Sequence, residues 1–424
     1  MSTGFSRRDF LLSGAGASLY AFAPSIFGAP KARKARVVVL GAGFGGATAA
    51  KYIKRWAPEI EVTVIERNAS FISCPQSNLI LSGARTLEQL TTRYDTLGKA
   101  YGIHFIRDEA VAVDHDRKVV RLKRGKAVPY DRLILSPGID LDYSALPGIA
   151  DESKRQHVLH AWKAGPQTVA LRKQLEGIPD GGVYALTIPK APYRCPPGPY
   201  ERVSLVASYF REAKPKSKII VLDANPDIVS KKGLFTAAWN ELYPGIVDYR
   251  PNNALQDVDP ATLTAKTDFD TVKADVLNVV PPNKAGAIAF QAGVINADER
   301  WSKVDFVSYE STSVPGIHVI GDATVSSPAP KSGHVANQQG KIAAAAVVSL
   351  LRGEQPYASP VFSNTCYSWV SNTEAVHVAA VYRYDATKQA LAVAEGTGVS
   401  EKRTTAEAEF ARAWASNVWS DALL

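Results

Sequence analysis

Cysteine is scarce: a chain of 424 residues holds three, at positions 74, 195 and 366. At most one internal bridge can form. A single bridge adds little to a protein this long, so the arithmetic points to a site rather than a staple. Long apolar runs are missing as well, and beyond the first thirty residues none reaches the ~20 that a membrane helix needs. Charge is not segregated by sign. The 49 Lys and Arg are scattered among 41 Asp and Glu, and without a basic stripe or interleaved aromatics nucleic-acid binding is excluded. A net charge of +8 leaves a basic surface suited to an acidic protein or to small anions. There is no internal repeat, low-complexity tract or coiled coil. With 46% apolar and 21% charged residues the chain is neither disordered nor a membrane bundle, and its length allows two or three domains of ~150 residues.

What is present begins with an address. Residues 1–30 read as a twin-arginine export signal. Ser6-Arg7-Arg8-Asp9-Phe10-Leu11 opens a moderately apolar, Gly/Ala-rich stretch to Phe27 that ends among small residues, and it is too short and glycine-laden for a lasting membrane span. Such a signal carries folded, cofactor-loaded protein, so a periplasmic location is expected. An oxidising compartment disfavours idle thiols, which makes one disulfide plus one cysteine with another fate the simplest assignment.

The chain is organised around Arg36 to Glu66, a dinucleotide-binding βαβ unit. An apolar strand (Val37 to Leu40) meets Gly41-x-Gly43-x-x-Gly46, a helix-period segment runs to about Trp56, and a second strand (Glu61 to Ile65) ends in Glu66. Gly41 permits the turn, Gly43 lets backbone approach a pyrophosphate, and Gly46 lets helix pack on strand. The helix N-terminus then faces phosphate. Glu66, 25 residues after Gly41, is placed to accept from a ribose hydroxyl. FAD and NAD both fit this unit.

Cys74 follows where the chain crosses the carboxyl edge of the sheet, within reach of a flavin ring. Position alone reads equally well as a small buried loop residue. Leu133-Ile-Leu-Ser-Pro-Gly138 resembles the strand-plus-glycine exit of FAD domains of the disulfide-reductase type, and a Pro/Gly-rich hinge to Gly148 sets the first boundary near Ile149. A second α/β domain opens with a helix (Trp162 to Glu176) and a strand (Val183 to Ile188). Where a nicotinamide domain would show its glycine fingerprint, the chain reads Pro189-Lys-Ala-Pro-Tyr-Arg-Cys195-Pro-Pro-Gly-Pro-Tyr-Glu201. Prolines remove N–H donors, so the loop is unsuited to a pyrophosphate, and Cys195 occupies the place where hydride would arrive. Lys273 to Pro282 reads as a strand returning to the first domain. Gly321-Asp322 ends the strand after Gly316 with an aspartate for the ribityl or phosphate side of FAD, and Lys331 leads into a helix to about Leu351 aimed at the flavin. In the last segment a helix from about Thr405 puts Phe410, Trp414 and Val418 on one face, a stripe that reads as core. His157 and His160 lack a third ligand, so no metal site is expected.

Taken together, the glycine loop 41–46, Cys74 with Ser77-Asn78, His160-Ala-Trp-Lys-Ala-Gly165, Arg194-Cys-Pro-Pro-Gly-Pro-Tyr-Glu-Arg202, Gly321-Asp322, Pro330-Lys-Ser-Gly333 and Asn364-Thr-Cys-Tyr367 closely resemble the flavoprotein subunit of flavocytochrome c sulfide dehydrogenase. The resemblance runs from about residue 35 to the C-terminus. It implies an α/β fold of two Rossmann-like, glutathione-reductase-type domains plus a C-terminal α+β interface domain. Residues 31–148 and 276–350 would form the FAD-binding domain, 149–275 the second domain without its phosphate loop, and 351–424 the interface domain. It further implies that HS⁻ attacks a redox-active Cys195–Cys366 disulfide and that electrons pass to FAD and then to a c-type haem subunit. Cys74 matches the cysteine that holds FAD covalently, Glu201 a glutamate near the disulfide, and Trp414 a tryptophan near the flavin. Two positions depart from the pattern: Pro75-Gln76 follows the attachment cysteine, and His334 stands where tyrosine is usual. No Cys-x-x-Cys-His occurs, so the haem belongs to another chain.

Overall fold

Val37, Val38, Val39 and Leu40 are all buried, apolar at every position as befits a strand covered on both faces of a parallel sheet. The computed structural model describes residues 33–424; the export segment lies outside the described residues. Arg36–Leu40 pairs in parallel with Glu61–Ile65 on one side and Arg132–Leu135 on the other. His104–Ile106 and Ile317–Val319 complete the five-stranded sheet. The glycine loop therefore leaves the carboxyl end of the central strand, the position from which nucleotide sites in such sheets are built.

A second parallel sheet has the order Val247–Arg250, Lys218–Asp223, Val183–Ile188, Val276–Val279. The last of these strands was expected to return to the first domain, and it does not. Its residues are buried throughout, and a short buried run of this kind fits the middle of either parallel sheet, so its pattern could not name its neighbour. The return is made by Asn283–Ala285, which pairs antiparallel with Ile139–Leu141. That pairing turns the supposed hinge into a two-stranded ribbon. The helix expected from Trp162 begins instead at Pro166, because Gly165 has φ 154 and proline belongs at the first helical position.

The C-terminal segment is an antiparallel sheet. Val361–Trp369 pairs with Ala375–Asp385, which pairs in turn with Ala390–Val393 and Gly398–Val399. Helix Thr405–Leu423 covers one end of it, started by Thr404, whose side chain accepts from the Glu407 N–H. Its buried face is Ala408, Ala411, Ala415, Val418 and Ala422, a ridge of small residues at helical spacing. The aromatic stripe read as core is split: Phe410 is 58% exposed, because the alanine ridge one step round the helix makes the closer contact. Among the described residues no helix is long and apolar enough to cross a membrane.

His318, on the edge strand Ile317–Val319, is fully buried with Nδ1 2.9 Å from the Ser308 carbonyl. Burial holds its pKa down at about 4. The imidazole is therefore neutral in the fold while its unfolded counterpart protonates below ~6.5. Its contribution to stability is complete above that pH and is lost as pH falls from ~6.5 toward ~4, by about 3 kcal/mol in all. Denaturant titrations of wild type and His318→Gln between pH 7 and 4.5 should show a slope shallower by one proton in the variant; parallel slopes would refute the assignment.

Candidate active site

The glycine loop is built as its spacing demands. Gly41 has φ 90, and a Cβ there would lie 2.4 Å from the Ser136 carbonyl oxygen; a Cβ on Gly46 would lie 1.9 Å from the Gly41 carbonyl oxygen. Gly43 is different. A Cβ on it would meet no protein atom within 4 Å, and the residue lines a cleft that also touches Glu66, Cys74, Ser136, Asp322 and Gly333. Glu66 accepts from the Ala42 N–H at 2.9 Å and from Asn68, so part of its acceptor capacity braces the loop.

This cleft runs into a second cavity through Cys74, Pro75, Arg194 and Gly333, which line both. Cys74, Cys195 and Cys366 all line the second cavity, although Cys195 and Cys366 are separated by 170 residues. All three are free cysteines here. The expected Cys195–Cys366 bridge is thus not formed in this structure; both are half-buried thiols, and desolvation raises both pKa values.

Local structure explains how Cys195 is presented. It lies in a proline-rich turn with φ 59, a left-handed conformation costing about 1 kcal/mol for a residue with a side chain, held by Cys195 N–H donating to the Lys331 carbonyl at 2.8 Å. Gly198, at the start of helix Gly198–Ala213, is needed beside it. A Cβ there would stand 2.9 Å from Cys195 Sγ and 3.0 Å from the Trp162 ring. Cys366 comes from the middle of strand Val361–Trp369. His334 explains its own departure from the family pattern, for its Nδ1 accepts from the Thr365 N–H at 3.0 Å. It ties the strand that carries Cys366 to helix Gly333–Leu351. Burial lowers its pKa, so the ring stays neutral and able to accept.

Glu201 lines the same cavity, buried, and accepts from Asn78 Nδ2 at 2.8 Å and the Trp369 N–H at 2.9 Å. Burial raises its pKa. Next to it Arg202 is nearly inaccessible, donating to Asn78 Oδ1, the His160 and Ala161 carbonyls and Asn278 Oδ1. Trp414 stands on the far wall, its ring 5.8 Å from that of Tyr367 and 6.2 Å from that of His334.

The cleft fits a flavin dinucleotide. Gly43 leaves room for backbone to approach a phosphate. Helix Gly333–Leu351 presents its N-terminus to the junction of the two cavities, where unpaired N–H groups favour an anion or a polar ring edge. Buried polar atoms on the walls lack protein partners: Asp322 Oδ1, Arg194 Nε, Gln76 Oε1, Trp162 Nε1 and Trp414 Nε1. Of the residues expected to touch the cofactor, Lys331 does not line either cavity. Its Nζ donates to the Asp322 and Thr324 carbonyls at 2.9 and 2.6 Å and lies 3.6 Å from the Trp301 ring centroid. A buried ammonium is stabilised there by backbone oxygens and an aromatic face, so Lys331 shapes the Asp322 turn. Arg202, Asn78, Arg194 and Trp162 stand inside the blocks that carry the family resemblance, but the sequence alone assigned none of them a role. Among the described residues no cluster of metal-binding side chains occurs.

Comparison with known proteins agrees with this geometry. Residues 168–281 match the family described as the central part of the sulfide dehydrogenase [flavocytochrome c] flavoprotein chain. Residues 358–423 match its flavin-binding part, and 35–175 match pyridine nucleotide-disulphide oxidoreductase. The flavoprotein chain of sulfide dehydrogenase from Chlorobaculum thiosulfatiphilum is 51% identical over 45 residues, 11% of this chain and 94% of that sequence. Mouse mitochondrial sulfide:quinone oxidoreductase is 26% identical over 322 residues, 72% of this chain and 69% of the relative. The solved sulfide:quinone oxidoreductase of Aquifex aeolicus superposes with TM-score 0.74 at 19% identity, over 92% of this chain and 91% of that one, which shows a common fold. Two family matches flanking the cysteine cavity, on a disulfide-oxidoreductase frame, lead to one conclusion: the chain belongs to the flavocytochrome c sulfide dehydrogenase flavoprotein family, flavin-dependent oxidoreductases that oxidise sulfide.

Proposed function

We propose that this chain is the FAD-carrying subunit of a periplasmic sulfide:cytochrome c oxidoreductase, in which Cys195 and Cys366 alternate between disulfide and dithiol. The observation that carries the reading is the convergence of three cysteines from distant segments on one cavity continuous with the glycine-loop cleft. In the oxidised pair HS⁻ attacks one sulfur. A new S–S bond forms to the incoming sulfur, the Cys–Cys bond breaks, and its electron pair leaves as thiolate on the other cysteine. Glu201, a buried carboxyl whose pKa desolvation raises, lines the same cavity as the sulfurs and is placed to exchange a proton as their charge changes. FAD would be held by Gly41, Gly43, Gly46, Glu66 and Asp322, with Cys74 as its covalent anchor and Trp414 against the ring system; when bound it supplies a two-electron acceptor that can release electrons singly.

The twin-arginine segment supports export, and the lack of a haem-attachment motif assigns the haem to a partner chain. The likeness to sulfide:quinone oxidoreductases favours one rival, a quinone acceptor. The exposed side of helix Thr405–Leu423 sets Phe410 among Glu409, Arg412, Ser416 and Asn417, a lone aromatic on a polar surface that suits a protein partner rather than a bilayer. Anaerobic sulfide oxidation by the purified protein should proceed with a c-type cytochrome and not with decylubiquinone; the reverse preference would reject the proposal. Acid precipitation of the same preparation should carry the yellow colour down in wild type and release it in Cys74→Ala.

A further inference from the structure

An anion that leaves water for a cavity needs a charge to meet it there, and the thiol cavity has few to offer. Among the described residues that line it, the cationic side chains are Arg194 and Arg202, since burial keeps His334 neutral. Arg202 is spent. Its Nε, Nη1 and Nη2 all donate to acceptors of the protein. Arg194 is not: Nη2 donates to the Trp162 carbonyl, while Nε, though buried, has no partner within the protein. A guanidinium carries five N–H donors, so most of this fork is still to be used.

Arg194 is also held where the sulfur is. Its N–H donates to Asn283 Oδ1 at 3.0 Å and the Cys195 N–H to the Lys331 carbonyl at 2.8 Å, so guanidinium and thiol leave adjacent, anchored positions of one proline-rich turn. The Trp162 ring and Cys195 Sγ both stand within 3.0 Å of the point that a Cβ on Gly198 would occupy, and it is the Trp162 carbonyl that holds the guanidinium. Desolvation raises the Cys195 pKa, and the cations that oppose it are Lys231 and Arg194. Lys231 donates to the Cys366 carbonyl and does not line the cavity. Arg194 lines both the cavity and the flavin cleft.

We infer that Arg194 is the substrate-binding residue of the thiol cavity, holding a small sulfur anion of the hydrosulfide class beside the cysteine pair. The substrate class rests on the sulfide reading above, whereas the anion site does not. Loss of a charge-assisted contact of this kind weakens binding about 10- to 100-fold.

Two probes test it on the purified protein with its cysteines reduced: Cys195 alkylation by anionic iodoacetate and by neutral iodoacetamide, read by peptide mass spectrometry. Arg194→Met should lower the iodoacetate to iodoacetamide rate ratio about 10-fold. Arg194→Gln, which keeps an amide donor for the Trp162 carbonyl, should lower it as far, and Arg194→Lys should restore most of it. A change in thiol acidity or in access alters both reagents alike, so the ratio isolates the attraction for an anion. In sulfide titrations the concentration that half-bleaches the flavin should rise by a similar factor in the two charge-free variants, with the reduction rate at saturating sulfide near that of wild type, the signature of lost ground-state binding. A wild-type ratio in Arg194→Met and Arg194→Gln would overturn the proposal. A lowered ratio with an unchanged half-bleaching concentration would overturn the hydrosulfide assignment. Bleaching by sulfide that survives Cys195→Ser would instead remove the relay and leave the anion site standing.

Discussion

Replacing either Cys195 or Cys366 with serine is expected to slow sulfide reduction of the bound flavin by at least about a thousandfold, the order of loss when a covalent nucleophile is removed. Serine keeps nearly the volume of cysteine and supplies no sulfur for HS⁻ to attack, so the cavity should survive while the chemistry stops. The two variants should behave alike, because each destroys the same S–S bond. Dithionite, which does not depend on the cysteine pair, should bleach the flavin of all three proteins at the same rate. Cys74→Ser makes the contrast sharper. It removes a thiol from the same cavity but leaves the pair intact, so sulfide should still reduce whatever flavin it retains. Rapid bleaching of both Cys195→Ser and Cys366→Ser by micromolar sulfide would show that the sulfurs meet in the cavity for structural reasons only.

Much of this arrangement was legible before any coordinates, and the reasons are physical. The first βαβ unit declares itself because strand, turn glycines, helix and acid are all local in sequence. Gly41 and Gly46 stand where a Cβ would strike backbone, a constraint that leaves its mark on the residue type. Strand Val276–Val279 was assigned to the wrong sheet because pairing is non-local and a short, fully buried run fits either parallel sheet. Lys331 was misread for a related reason. Its place ahead of a helix aimed at the flavin suggested a cofactor contact, but nothing in the sequence reveals that backbone carbonyls and the Trp301 face would take up its ammonium.

Removing Arg202 is expected to cost about 3–5 kcal/mol of stability, a large share of the 5–15 kcal/mol that holds a typical fold. Its guanidinium is 2% exposed and bonds at once to Asn78, Asn278 and two carbonyls. Arg202→Leu would not orphan all four acceptors. Asn278 Oδ1 keeps the Tyr184 hydroxyl at 2.9 Å, and the His160 carbonyl keeps Asn278 Nδ2 at 3.0 Å. Asn78 Oδ1 and the Ala161 carbonyl would lose their partner, at about 1–3 kcal/mol each, and Glu201 would lose a neighbouring positive charge. Arg202→Lys should recover part of the loss, because a single ammonium cannot span acceptors that a planar fork reaches from two edges. Denaturant unfolding of the three proteins should therefore rank wild type, lysine and leucine in that order. Asn78 also donates to Glu201, so the leucine variant should disturb the carboxyl beside the cysteines as well; a leucine variant within 1 kcal/mol of wild type would mean that the buried fork is dispensable and that Asn78 positions Glu201 unaided.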